Sequence, residues 1–213
     1  MKRSPLAALA AVVLAVSAAA PADVMTYDGM GLSARAVLHA PGSFVDGQRI
    51  PMGQYHMSYL GVPYIGYCVD VYQCVGDTQV DVLGLDTLNT PDAYIGEQVA
   101  WLYDTYAASV GDGTSAAGLA VAIWEMVFET AGNAPDPAAG DFYISGNEAV
   151  ANDAADKLAD MPDRYETDSN LVILHSDTKQ DMLILGGPGV PEPAALILLA
   201  VGGTIQLARR RHR

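Results

Sequence analysis

The sequence predicts a β-rich α+β domain, sandwich-like or barrel-like, with two to three inserted helices. Three observations predict it. Short runs of alternating apolar and polar residues fill the first half, punctuated by Pro41-Gly42, Asp46-Gly47 and Gly61-Val62-Pro63. Apolar residues then recur at helical spacing from about residue 90 to residue 130. Short β-type runs return after residue 140. Strands, then helices, then strands again is the order of an α+β domain.

The expected strands of the first half are Val24–Tyr27, Ala34–His39, Gln54–Leu60, Tyr64–Tyr72 and Thr78–Leu83. Thr90-Pro91-Asp92 reads as a helix start, with Thr as cap, Pro at the first helical position and Asp against the dipole. Ile95, Val99, Leu102 and Tyr106 then share a face. A second helix is expected from Thr114-Ser115 to Thr130, buried through Leu119, Ile123, Met126 and Val127 and ended by Gly132. A third runs from Glu148 to Met161 with Ala151, Ala154, Ala155 and Leu158 inward, stopped by Pro162. Its Asp153, Asp156 and Asp160 surround Lys157 and read as a solvated face. Strands follow at Asp141–Ile144, Leu171–His175 and Asp181–Leu185. There is no internal repeat.

The two ends of the chain are of a different kind. Lys2 and Arg3, the apolar run Leu6 to Val16 and the small-residue site Ala20-Pro21-Ala22 have the layout of a signal peptide over residues 1–22, so the mature chain is expected to start at Asp23. The domain then covers 23–185, and Gly186 to Pro193 is a Gly/Pro linker. From Ala194 to Ala208 the chain is nearly all apolar, and it closes on Arg209, Arg210, Arg211 and Arg213. A helix of that length reaches about 22 Å, short of a hydrocarbon core of about 30 Å. Arginines after such a stretch hold its end in the cytoplasm.

Val190-Pro191-Glu192-Pro193, the short hydrophobic helix and the Arg209-Arg210-Arg211 stop, in that order, resemble the PEP-CTERM sorting tail of Gram-negative bacteria. The resemblance implies an exosortase-type transpeptidase as partner, acting near Pro-Glu-Pro. It also implies transient anchoring in the inner membrane, a final place at the cell surface or in the extracellular matrix, and exopolysaccharide as a neighbour.

Between Asp23 and Glu192 stand 25 acidic residues against 5 basic ones, a balance of −20. That argues against nucleic acid or an anionic membrane surface as a partner. A solvated acidic surface is the plain reading, and no EF-hand loop is present to bind calcium. His39, His56 and His175 lie on three expected strands without zinc-ligand spacing, so no metal site is assigned. No cofactor or catalytic residue is assigned either. Gly111-Asp112-Gly113-Thr114 lacks the lysine of a phosphate loop and reads as a turn between helices. Tyr94, Tyr103, Tyr106, Trp101 and Trp124 have the spacing of core aromatics.

The only two cysteines, Cys68 and Cys74, lie in Gly66-Tyr67-Cys68-Val69-Asp70-Val71-Tyr72-Gln73-Cys74. In a straight strand their sulfurs would be roughly 20 Å apart, whereas a disulfide needs Cα atoms within about 7 Å. Either the chain turns between them or Cys68 has another role. Tyr67-Cys68-Val69-Asp70, with Ala122-Ile123-Trp124-Glu125 some fifty residues later on a helix, resembles the thioester-domain-like proteins that often carry PEP-CTERM tails. There a cysteine bonds to a glutamine four residues before the tryptophan, which gives an acyl group activated toward amines and hydroxyls. In this chain that position is Ala120, which has no carbonyl to offer. Gln54, Gln73, Gln79 and Gln98 lie outside the motif register.

Three states remain open for the sulfurs: a Cys68–Cys74 disulfide closed by a hairpin or bulge, two free thiols, or a thioester to an out-of-register glutamine. The disulfide is the leading expectation, because export permits it. Taken together the sequence points to an exported binding or matrix protein without turnover. A covalent adhesin using Cys68 and a hydrolase with an unseen site stand as alternatives.

Overall fold

The computed structural model describes residues 23–91, 93–129 and 133–186. The expected signal peptide, most of the linker, the Val190-Pro191-Glu192-Pro193 motif and the Arg209-Arg210-Arg211 stop lie outside the described residues.

Among the described residues eight strands are present: β1 (Val24–His39), β2 (Arg49–Tyr59), β3 (Val62–Cys68), β4 (Thr78–Gln79), β5 (Asp81–Leu83), β6 (Tyr143–Ser145), β7 (Leu171–His175) and β8 (Met182–Leu185). Three α-helices of the described residues join them: α1 (Ile95–Tyr106), α2 (Gly113–Phe128) and α3 (Glu148–Ala159). All strand pairs are antiparallel, in the order β4-β1-β2-β3-β8-β7-β5, with β6 on the far part of β1. Only Val80 separates β4 from β5, so the two ends of this path belong to one stretch of chain. The sheet therefore rolls into a nearly closed barrel, which removes most of its free edge. The α+β, barrel-like class expected from the sequence is the class observed.

Several boundaries differ from expectation, each for a local reason. Val24–Tyr27 and Ala34–His39 are one strand, because Asp28-Gly29-Met30-Gly31 forms bulges instead of a turn. The register against β2 slips between Tyr27 and Gly29 and again between Met30 and Ser33. Each slip adds a residue to β1 and bends it around the barrel. Strand β3 ends at Cys68 and does not continue to Tyr72, since the Asp70 carboxylate accepts from the Tyr72 N–H at 2.8 Å and turns the chain. Thr78–Leu83 splits at Val80, whose N–H bonds the Asp23 carbonyl at 2.8 Å. Asp141–Ile144 is displaced to Tyr143–Ser145.

Helix α1 begins at Ile95 and not at Thr90. Thr90 and Ala93 exchange backbone hydrogen bonds of 3.0 and 3.3 Å, and the Asn89 side chain accepts from Gly96 N–H at 2.8 Å. Helix α2 is capped by Asp112, two residues before the expected start at Thr114-Ser115. Asp112 accepts from Ser115 N–H at 2.8 Å while Ser115 Oγ accepts from Asp112 N–H at 3.2 Å, a capping box. In α3 the buried positions are Val150, Ala154 and Lys157, with Ala155 exposed. Lys157 was expected on a solvated face. Its ammonium instead pairs with Asp153 and sits 5.2 Å from the centre of the Tyr106 ring.

Helix α2 is the centre of the molecule. Every residue from Ala116 to Glu125 is buried, as expected for a helix that is apolar all round. It packs on β1 and β2, with α1 and α3 on its flanks. Its small residues permit this. A Cβ on Gly113 would clash with the Ser33 carbonyl of β1, and one on Gly118 with the Asp153 carboxylate of α3. Gly113→Ala should therefore destabilise the fold by roughly 1–3 kcal/mol, the scale of overpacking, measured by urea denaturation. Gly111→Ala, whose Cβ would meet only Ser109 O at 4.0 Å, should stay within about 0.5 kcal/mol.

Candidate functional site

The two stretches Tyr67-Cys68-Val69-Asp70 and Ala122-Ile123-Trp124-Glu125 meet in space. Trp124, on α2, donates its Nε1–H to the Cys68 carbonyl at 2.8 Å. Both residues are buried, Cys68 completely. Cys68 closes β3, where it pairs with Met182 of β8. The next residue is fixed as well, with Val69 N–H bonding the Asp181 carbonyl at 2.9 Å. The sulfur has its own local partners. Cys68 Sγ donates to the Asp70 carbonyl at 2.9 Å and accepts from Asp70 N–H at 3.3 Å.

This setting keeps the sulfur as a thiol. Burial pushes its pKa well above the usual thiol range, and the neighbouring Asp70 and Asp181 charges add to the rise. The backbone hydrogen bond with Asp70 only partly offsets it. The thiolate is the nucleophile, so Cys68 as it stands is a poor one. Asp70 is also raised, first by burial and then by the Asp181 charge, against the lowering effects of Tyr72 N–H and His175.

Ala120 lies one helical turn before Trp124, on the same face of α2, and is fully buried. The other sequence candidates disperse. Cys74 lies in the loop after β3 and is exposed, and both cysteines are free thiols, so the expected Cys68–Cys74 disulfide is not formed. The turn at Asp70 draws the Cys68 sulfur onto its own backbone instead of toward Cys74. Gln54 is buried on β2, Gln79 is exposed on β4, and Gln98 lies on α1 beside a different cavity. None of these glutamines hydrogen-bonds Cys68 Sγ.

Gln180 was missed by the sequence reading. It lies far from either motif in the chain, and only the β8 pairing brings it back. Its N–H bonds the Cys74 carbonyl at 3.2 Å. Gln180, Cys74, Tyr55, Val71 and Trp124 line a largely apolar cavity of about 240 Å³. The buried Gln180 Oε1 has no hydrogen-bond partner.

A second missed feature is Glu125, the residue after the tryptophan. It is fully buried, and only one of its oxygens is engaged: Oε2 accepts from Asp136 N–H at 3.2 Å, while Oε1 has no partner. Burial raises its pKa to about 8, with the Asp136 N–H lowering it and the Glu129 and Asp136 charges raising it further. Glu125 lines a cavity of about 420 Å³ between α1, the end of α2 and the segment after α3. Its sequence signal was present but weak, a lone acid inside an apolar helical run.

The histidines sit on separate strands with separate partners. His39 stacks on Tyr143 at 4.2 Å and bonds Ser145 Oγ at 2.9 Å. His56 is exposed on β2. His175 pairs with Asp181 at 2.8 Å, which raises its pKa. Among the described residues no group of three His, Cys, Asp or Glu side chains is arranged to hold a metal ion. No family model matches the chain, and neither the curated proteins nor the solved structures give a match.

Two outcomes follow from this geometry. Under native conditions at neutral pH an alkylating reagent should label Cys74 and leave Cys68 untouched until the protein is unfolded, as read by peptide mass mapping. Glu125, neutral in the fold up to about pH 8, supports folding fully below the unfolded carboxyl pKa of about 4.3. That support is lost as pH rises through about 8, because the unfolded state ionises first. Glu125→Gln should flatten this fall in stability, and denaturation midpoints measured across that pH range check it.

Proposed function

We propose that this chain is an exported, exosortase-sorted protein of the cell envelope or extracellular matrix that acts by non-covalent binding or as matrix material. The order of Pro-Glu-Pro motif, short apolar helix and arginine stop supports the sorting step. The export reading suits an acidic body with free edges largely closed into a barrel.

The absence of covalent chemistry rests on one observation. The face of α2 that meets the Cys68 segment carries a methyl group at Ala120, where an acyl donor would have to stand. The sulfur below it is buried, held by the Asp70 backbone and pushed toward the unreactive thiol. The hydrolase alternative gains nothing from His175. That ring is tied to Asp181, and neither of the Cys68 sulfur's hydrogen bonds goes to it.

Intact mass of the purified protein tests the reading. The expected mass carries two free thiols and does not change after methylamine treatment. Loss of one ammonia, or a methylamine adduct at any glutamine, Gln180 included, overturns it in favour of a covalent adhesin. Replacing Pro191-Glu192-Pro193 with alanines should leave the precursor in the inner membrane fraction. Unaltered processing would remove the sorting assignment.

A further inference from the structure

We infer that the cavity beside Glu125 is a binding site for a primary ammonium group carried on an aliphatic arm. The inference deepens the non-covalent-binding reading, and its failure would leave the sorting and sulfur tests standing.

The cavity, about 420 Å³, is of small-molecule size. Its described lining contains Glu125, Glu129 and Asp163 but no Lys, Arg or His. Glu129 is already an organiser of the rim, accepting from Asn133 Nδ2, Asp141 N–H and Phe142 N–H. Glu125 differs. Its carboxyl is fully buried and Oε1 has no donor. A buried polar oxygen without a partner is costly, and a ligand that pairs with it relieves the cost.

Three features select the kind of donor. Ile95, Met126, Val127 and Met161 give the wall an aliphatic and thioether part, which suits an alkyl arm, beside the polar Thr90, Gln98 and Asn133. The described lining holds no aromatic ring on which a sugar could stack. A hydroxyl would pair with Oε1 but bring no charge, whereas an ammonium also offsets the Glu129 and Asp136 charges that face Glu125. The body's balance of −20 also concentrates cations around the molecule. A bare metal ion fits less well, because no three-ligand cluster is arranged for one among the described residues.

The ammonium donates to Oε1 and draws Glu125 toward its ionised form. Binding at pH 7 therefore releases a proton, since the free carboxyl titrates near 8. The acidic groups facing it are Glu129, at the end of α2, and Asp136, in the segment after it. Both favour proton retention in the empty site and ammonium capture in the filled one.

Isothermal titration of the full-length chain tests this with 1,5-diaminopentane as a free diamine and N-acetyl-lysine-methylamide as a lysyl side chain. Pentane-1,5-diol is the neutral control. The expected result is binding of one or both amines and none of the diol. Whichever amine binds identifies a free diamine or a protein side chain as the source. Affinity should rise from pH 6 to 8.5, with a buffer-dependent heat that reports proton release. Glu125→Gln should weaken amine binding at least about tenfold, which corresponds to about 1.4 kcal/mol. Asp163→Asn, at an exposed position, should weaken it by a smaller factor without affecting the fold. Equal binding of the diol, no binding of either amine, or amine affinity unchanged in both variants overturns the assignment.

Discussion

Helix α2 can lie at the centre because it is nearly apolar all round and because the buried Trp124 N–H finds a partner on the barrel. The Trp124 indole is the clearest case. A buried N–H must have an acceptor, and the acceptor here is the carbonyl of the last residue of β3. That bond ties the Trp124 face of α2 to the end of β3. Ala120 is consequently set on the Trp124 face, and Glu125, one residue further, is carried round toward α1 and the segment after α3. Gly113 and Gly118 allow the close approach that the bond requires, against β1 at one end and α3 further along. Loss of the bond would leave a buried donor unpaired, a cost of roughly 1–3 kcal/mol.

Helices and buried strands were legible in the sequence because their signals are local. Glu148 as the start of α3 and Leu171–His175 as a strand are placed as expected, the first by its Asn147 cap and the second by an apolar run buried on both faces. What could not be read was whatever depends on a distant partner. Gly-rich text around Gly29 looks like a turn, and only the pairing with β2 makes it a bulge inside a single strand. Closure of the barrel through Val80 leaves no local mark, since a two-residue and a three-residue strand differ only in which neighbour each meets. The same holds for the candidate site. Cys68 and Trp124 were identified as a pair by motif alone, whereas Gln180 and the partnerless oxygen of Glu125 became visible only once the chain was folded.

The fate of Cys68 shows how environment overrides residue type. A cysteine in a chain expected to be exported is an obvious candidate for a disulfide or for nucleophilic work. Here the turn at Asp70 offers the sulfur both a donor and an acceptor within two residues, and burial penalises the thiolate. The outcome is a small hydrophobe with satisfied hydrogen bonds. Cys74 keeps the accessibility that Cys68 lacks, on a loop beside an apolar cavity. Accessibility and motif thus fall on different cysteines.

The acidic excess has a structural explanation that charge counting does not provide. With five basic residues between Asp23 and Glu192, most carboxylates cannot form ion pairs. Many instead pin loops by accepting backbone N–H groups. Asp77 holds Tyr27, Asp46 holds Ala40, Asp112 holds Ser115, Asp181 holds Ser176, and Glu97 holds Tyr165. Hydrogen bonds to an ionised acceptor are stronger than neutral ones, and at loops they replace the ladders that strands supply. Such carboxylates have little left to offer a ligand. Glu125 differs from these, because burial pushes its carboxyl up to about 8 and only one of its oxygens takes part in this pinning. It stands at the wall of a cavity whose described lining holds no basic residue, so the charge state of its carboxyl is set by burial and not by an ion pair.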